Sequence, residues 1–270
     1  MTLGQADIRK AVDRSDLPGR VVCLHSSLKS FGTVDGGADA VIDAFLEAGC
    51  TLIVPTFTYF CQIPPPAGWS AAPNLKDRNW IYLPEEVEAF DPDANRIVRG
   101  MGAIPARVLE RPGRIRGFHP KDSFTGLGPQ AAELIAAQAP LNIYGPFKQI
   151  YAGLPAFLVF AGVGLTAATA VHFAEELSGR PLFRSWTRVA GRADCEVEEG
   201  GCSDGFENLA PAVRSLERRM TVGDSLWRIY PFKEFIDTLV PVLRENPSIT
   251  HCGKPDCCRC NDAVKSNRRI

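Results

Sequence analysis

His25, His119, His172 and His251 are the four imidazoles of this 270-residue chain. Imidazole is the side chain that ionises nearest neutrality, so these four are the first candidates for a general base. His172 has Glu175 three residues after it. On a helix that spacing places both on one face, within contact range. A carboxylate against one ring nitrogen fixes the tautomer and makes the other nitrogen more basic. The same spacing would also suit an ion pair on an amphipathic surface, and spacing alone does not separate the two. Thr169 lies one turn before His172. Its hydroxyl would either stabilise a developing oxyanion or cap the helix.

A second group is His25-Ser26-Ser27, with Lys29 just beyond. It follows the apolar run 20–24, which reads as a buried strand. Small residues at such a strand end leave backbone N–H groups open to a ligand such as a phosphate. A capped turn into the next helix is the structural alternative. His119 precedes Pro120, which biases it to extended backbone and favours a structural hydrogen bond over proton transfer.

A third group is rich in sulfur. Of nine cysteines, Cys252, Cys257, Cys258 and Cys260 crowd together beside His251. Four thiolate or imidazole ligands suffice for a structural zinc, and the expected set is His251, Cys252, Cys257 and Cys260. A typical site draws on two separated pairs, whereas these fall within ten residues. Free thiols near a flexible end, or a redox pair, are therefore the alternatives. Cys23, Cys50, Cys61, Cys195 and Cys202 are scattered and read as small core hydrophobes.

These groups need a scaffold. The pattern predicts strands at 20–24, 52–54 and 156–163, and a strand or hairpin over 186–198. It predicts helices at 38–46, 101–110, 129–137, 169–177, 208–220 and 232–243. Residues 55–83 read as a long loop whose Tyr59, Phe60, Trp69, Trp80 and Tyr82 form a pocket wall or a satellite core. The fold class is α/β, a central mixed sheet with flanking helices and ligands at the carboxyl ends of its parallel strands. Residues 1–250 are expected as one domain, and 251–270 as a Cys-rich tail with five Lys or Arg against two Asp.

Composition narrows the function classes. Thirty Lys and Arg balance thirty-one Asp and Glu, for a net charge of −1. That balance argues against nucleic acid as a partner. No run of about 18 apolar residues is present, so a membrane span is not expected. The first fourteen residues lack the apolar core of a signal peptide, so the cytoplasm is the expected compartment.

Several segments carry a family resemblance. His25-Ser26-Ser27-Leu28-Lys29-Ser30-Phe31-Gly32 with Gly36-Gly37 resembles the amino-terminal motif of the aminoglycoside 3-N-acetyltransferases, which are distinct from the common GNAT enzymes. Pro55-Thr56-Phe57-Thr58, then Arg116-Gly117-Phe118-His119-Pro120 with Ser123-Phe124 and Gly126-Leu127-Gly128, are similar to its central stretches. Thr169-Ala170-Val171-His172-Phe173-Ala174-Glu175 resembles its T-x-x-H-x-x-E helix, and Gly201-Cys202-Ser203-Asp204-Gly205-Phe206 a further segment. The matches run in order over about residues 20–207. Gly117 stands in place of the family's Ser, and Ala168 in place of an Asn.

The resemblance implies an enzyme that moves an acetyl group from acetyl-CoA to an amine, with the 3-amino group of an aminoglycoside antibiotic as the family's acceptor. It implies His172 as general base, Glu175 as its orienting partner, Thr169 as oxyanion donor and His25 as a second essential histidine. It implies CoA contacts from Ser26, Ser27, Lys29, Arg116, Ser123 and Phe124, while the basic tail, by its charge alone, would either cover the CoA phosphates or be solvated. A small-molecule amine is the expected partner, and a monomer or homodimer the expected assembly. A non-aminoglycoside acceptor from natural-product biosynthesis is the main alternative, because a polycation binder calls for an acidic cleft and this chain is near neutral. A non-catalytic scaffold with a zinc-binding tail is another. A cysteine nucleophile is a third, weakened because Cys23, two residues before His25, has no defined base and third group.

Overall fold

The computed structural model describes residues 2–69 and 83–266. Trp80 and Tyr82 of the aromatic loop, and the last basic residues of the tail, lie outside them. Among the described residues the strands are β1 (Val21–Ser26), β2 (Thr51–Pro55), β3 (Gln62–Ile63), β4 (Ile115–Arg116), β5 (Phe124–Leu127), β6 (Ala156–Ala161), β7 (Phe183–Thr187), β8 (Cys195–Glu199), β9 (Arg218–Val222) and β10 (Ser225–Pro231). The helices are α1 (Gln5–Asp13), α2 (Gly37–Glu47), α3 (Ala103–Glu110), α4 (Ala131–Ala136), α5 (Gly145–Tyr151), α6 (Thr169–Leu177), α7 (Ala210–Val213), α8 (Phe232–Glu245) and α9 (Cys258–Ser266).

Seven strands form one mixed sheet in the order β4-β5-β2-β1-β6-β10-β9. β1 runs parallel to both β2 and β6, while β5 and β10 flank that parallel centre antiparallel. The apolar runs follow from this position, because a central strand is covered on both faces and has no polar side. Val21 and Cys23 of β1 join one core, together with Phe147, Phe173 and Phe235 from α5, α6 and α8. Val22 and Leu24 point to the other face and meet Ile8, Val41 and Ile104 from α1, α2 and α3. β3, β7 and β8 make a separate three-stranded sheet, so the expected hairpin over 186–198 extends back to Phe183.

One expected helix is different. Residues 208–220 are not continuous: α7 is four residues long, a 3-10 turn follows, and β9 begins at Arg218. Pro211 stands inside the stretch, and a proline removes an amide donor from a helix interior. Downstream, Gly223 takes φ +59° at the first central position of a two-residue loop that pairs Val222 with Ser225. That loop turns the chain into an antiparallel hairpin, and β10 captures the preceding residues as an edge strand.

β1 ends at His25 and Ser26, paired to Phe160 and Ala161 at the end of β6. The chain then passes from β6 to α6, which starts at Thr169. Both histidine motifs therefore meet at the carboxyl edge of the parallel strands. Residues 246–252 lie against the domain, where Asn208 donates to the Ile249 carbonyl at 3.0 Å. No helix among the described residues is long and apolar enough to cross a membrane.

The core under α6 is aromatic. Phe147 is 1% exposed and contacts Phe124, Phe232 and Phe173 with ring centroids 4.8, 5.4 and 6.2 Å away. Phe147→Ala is expected to cost about 3–5 kcal/mol of stability. Urea denaturation should show this as a lower midpoint at an unchanged slope.

Candidate active site

α6 buries Ala170, Val171, Phe173 and Ala174 and carries two polar residues inward with them, His172 and Glu175. They are 9% and 4% exposed, and His172 Nδ1 lies 2.8 Å from Glu175 Oε2. The other carboxylate oxygen accepts from Arg180 and, at 2.9 Å, from the Thr250 hydroxyl. Arg180 is itself held by the Pro247 carbonyl at 2.6 Å. Burial alone would push the Glu175 carboxyl up, but the His172 bond, the Arg180 charge and Thr250 outweigh it and hold it below the usual range. An ionised carboxylate only accepts, so His172 Nδ1 carries the proton of this bond. Phe206 meets the ring edge-on at 4.7 Å.

His172 and Thr169 face a cleft of about 710 Å³. His25 and Ser26 line its β1 end, and Gly100, Met101 and Pro105 bring the start of α3 over it. Lys121 and Asp122 line a second side, and Glu199 to Asp204, with Lys254 and 256–259, close a third. His25 stacks on Phe160 at 5.3 Å, and burial pushes its pKa down to about 4, so it is neutral at pH 7. Thr169 is the first residue of α6, after Ala168 at the N-cap, and it borders the cleft. Among the lining atoms, Ser26 Oγ, Gln62 Nε2, Asp122 Oδ2, Tyr144 Oη and Glu199 Oε1 are buried with no hydrogen-bond partner among the described residues. Such groups are costly unless a ligand or water satisfies them.

Several residues expected at the ligand lie outside this cleft wall. Arg116 does not reach the cleft. Its guanidinium donates to the carbonyls of Thr56, Ala94 and Arg96 at 2.8–2.9 Å and to Ser123 Oγ at 3.0 Å, over the Phe90 ring. Burial lowers its pKa to about 10, so it stays charged and acts as a clamp on loops. Ser123 donates to the Thr56 carbonyl at 2.8 Å and is fully buried. Phe124 belongs to the aromatic core. Ser27 precedes a 3-10 turn, where its carbonyl accepts from Ser30, and the exposed Lys29 is outside the cleft wall. His119 is buried, accepts the Asp122 amide on Nδ1 at 2.9 Å, and is held neutral by a pKa near 3 that burial lowers. Of the aromatic loop, Tyr59 lines the cleft, whereas Phe60 lies under Arg96 and Trp69 packs on Trp186.

The sulfur cluster also differs from expectation. His251 faces the Gly253 amide with Nδ1 at 3.0 Å and Asn261 with Nε2 at 3.2 Å. Cys202 takes its place, and the thiols of Cys202, Cys252, Cys257 and Cys260 all lie within 4.8 Å of one another.

Four residues of this site escape spacing arguments: Gly200, Arg180, Thr250 and Asp122. Gly200 packs against the flat of the His172 ring, and a Cβ there would stand 2.6 Å from Cδ2 and 3.0 Å from Nε2. The only trace of it in the chain is the Gly200-Gly201 pair before Cys202. Gly200→Ala should displace the imidazole and lower turnover by about 10²-fold, the low end of what a positioned base supplies. Circular dichroism should be unchanged, which separates a misplaced ring from unfolding.

Asp122 is predicted to give a pH signature. Burial raises its pKa to about 7, with Lys121 opposing and Glu199 reinforcing. The folded state therefore holds this proton more tightly than the unfolded state, and the cost of ionising the group grows as pH rises from about 4 to 7. Asp122→Asn should thus raise Tm little at pH 4 and progressively more up to pH 8. A Tm difference independent of pH would contradict this assignment.

Residues 23–244 match the family model described as aminoglycoside 3-N-acetyltransferase. The chain is 33% identical over 171 residues to aminoglycoside N(3)-acetyltransferase IX of Micromonospora chalcea, covering 59% of this chain and 57% of that relative. It is 28% identical over 216 residues to aminoglycoside N(3)-acetyltransferase III of a Salmonella species, covering 73% of each. The chain thus spans little more than half the length of the first relative. The crystal structure of the aminoglycoside acetyltransferase AAC(3)-IVa apoenzyme shares the fold, with a TM-score of 0.78, 22% identity and 98% of each chain covered. With its family match covering residues 23–244, most of its length, the chain belongs to the aminoglycoside 3-N-acetyltransferase family.

Proposed function

We propose that this protein transfers an acetyl group from acetyl-CoA to an amine of an aminoglycoside-type amino sugar. The observation that carries the reading is the buried His172–Glu175 pair at the cleft, with the Glu175 carboxylate held from behind by the Arg180 charge and the Thr250 hydroxyl. His172 Nε2 takes one proton from the neutral attacking amine as the C–N bond forms. The amine nitrogen bonds to the thioester carbonyl carbon, and Thr169 donates to the oxygen as it becomes an oxyanion. The C–S bond then breaks, and His172 returns its proton to the departing thiolate. Glu175 does not touch the substrate in this scheme. It fixes the tautomer and stabilises the imidazolium that forms.

His25, neutral and stacked, offers a hydrogen bond without a competing charge. Ser26, at the end of β1 with an unpartnered hydroxyl, suits an amide of the pantetheine arm. Asp122, Glu199, Asp204 and Asp256 supply carboxylates for ammonium groups of the acceptor.

A second acceptor class is favoured by one feature of the same cleft. Lys121, Lys254 and Arg259 line it beside those four carboxylates, so its wall is nearly balanced in charge. Such a wall suits an amine that carries fewer cationic groups, or an anion of its own, better than a polycation.

The test is thiol release from acetyl-CoA with a panel of aminoglycosides and other small amines. His172→Ala should lower the rate by about 10²–10⁴-fold while CoA binding by calorimetry is retained. A loss below tenfold would remove His172 from the base role. Turnover confined to non-aminoglycoside amines would keep the chemistry and select the second acceptor class.

A further inference from the structure

We propose that Cys202, Cys252, Cys257 and Cys260 together bind one structural zinc ion, and that this ion holds the cleft wall facing His172. The second half rests on the functional reading above, whereas the first does not. Four thiols drawn from two distant parts of the chain meet with every sulfur within 4.8 Å of the others. Tetrahedral zinc with bonds of about 2.3 Å needs sulfurs about 3.8 Å apart, a small contraction of this cluster. Four soft thiolate donors with no open position describe a closed structural site rather than a catalytic one. The Cys252 amide already points at Cys260 Sγ from 3.4 Å, the kind of backbone donor that stabilises a metal-bound thiolate. Cys202 supplies the separated ligand that the tail by itself lacks, fifty residues away from Cys252.

The surroundings explain why an ion is needed there. The hydrophobic cluster at α9 has only Phe183 and Ala263 as buried members among the described residues. That is a thin core for a short helix, which gains little stability from local bonds alone. Yet this segment bears on the cleft. Lys254 reaches Asp204 at 3.2 Å, Arg259 reaches Glu199 at 3.4 Å, and residues 256–259 line the wall. Two residues before Cys202 lies Gly200, against the His172 ring. A metal on Cys202 would pin this strand end and the tail to each other.

The experiment begins with the reduced full-length protein, purified without chelators from zinc-supplemented cells. Elemental analysis should give about one zinc per chain, alongside nine titratable thiols after unfolding. Cys202→Ser should abolish zinc retention, whereas Cys258→Ser should retain it. Growth in cobalt provides a readout that needs no variant: the wild type should show the visible spectrum of tetrahedral tetrathiolate cobalt. Zinc-free protein with disulfides in place of thiols would overturn the proposal, as would full zinc in Cys202→Ser. Stripping the zinc should speed amide hydrogen exchange over residues 199–206. Exchange left unchanged there would overturn the wall-holding half. None of these readouts depends on acetyl transfer, so they fail or succeed separately from the functional reading.

Discussion

Glu175 is an ionised carboxylate deep in the protein, and much of the architecture serves to make that tolerable. A buried charge is strongly unfavourable unless its lone pairs are satisfied by well-placed donors. Here the donors come from three segments: His172 from α6 itself, Arg180 from the turn before β7, and Thr250 from the stretch after α8. Arg180 is anchored in turn by the Pro247 carbonyl. The angle of α6 on the sheet, the entry into the small sheet and the path of the C-terminal stretch are thereby tied to one oxygen pair. The imidazole that faces the cleft is the outermost member of this network.

A similar logic separates the polar groups at the cleft into two kinds. Arg116 and Ser123 have all their capacity absorbed by carbonyls and so belong to the frame. Ser26, Asp122 and Tyr144 keep unpartnered polar atoms beside the open volume. Buried Lys121 lies between these classes. It is bound to Glu199 and to Gln62 at 2.7 Å, and so holds one wall while lending it charge. Chemistry is left to residues that the frame does not consume.

Much of this was legible in the residues themselves. Central strands buried on both faces announce themselves as unbroken apolar runs, and 20–24, 52–54 and 156–163 correspond to β1, β2 and β6. The His172–Glu175 pair was readable because both partners sit on one helix, where spacing and contact are the same information. Contacts that cross the fold are written nowhere in local spacing. Nothing near Arg116 reveals that it spends its donors on residues 56, 94 and 96. Cys202 looks like any isolated thiol until the tail folds back on it. Gly200 matters for what it lacks, and an absent Cβ is visible only once a ring lies against it. The stretch 208–220 has helical spacing, yet a neighbouring strand claims its second half through the turn at Gly223.

The position of Thr250 has a consequence for biosynthesis. Glu175 leaves the ribosome 75 residues before its Thr250 partner. At about 5–20 residues per second, that interval is roughly 4–15 s. Throughout it, the half-built sheet already offers α6 an apolar bed while the carboxylate still lacks one of its donors. The full donor set around that acid cannot form until translation has passed α8. Completion of the Glu175 donor set is therefore late in synthesis, although α6 itself is finished well before.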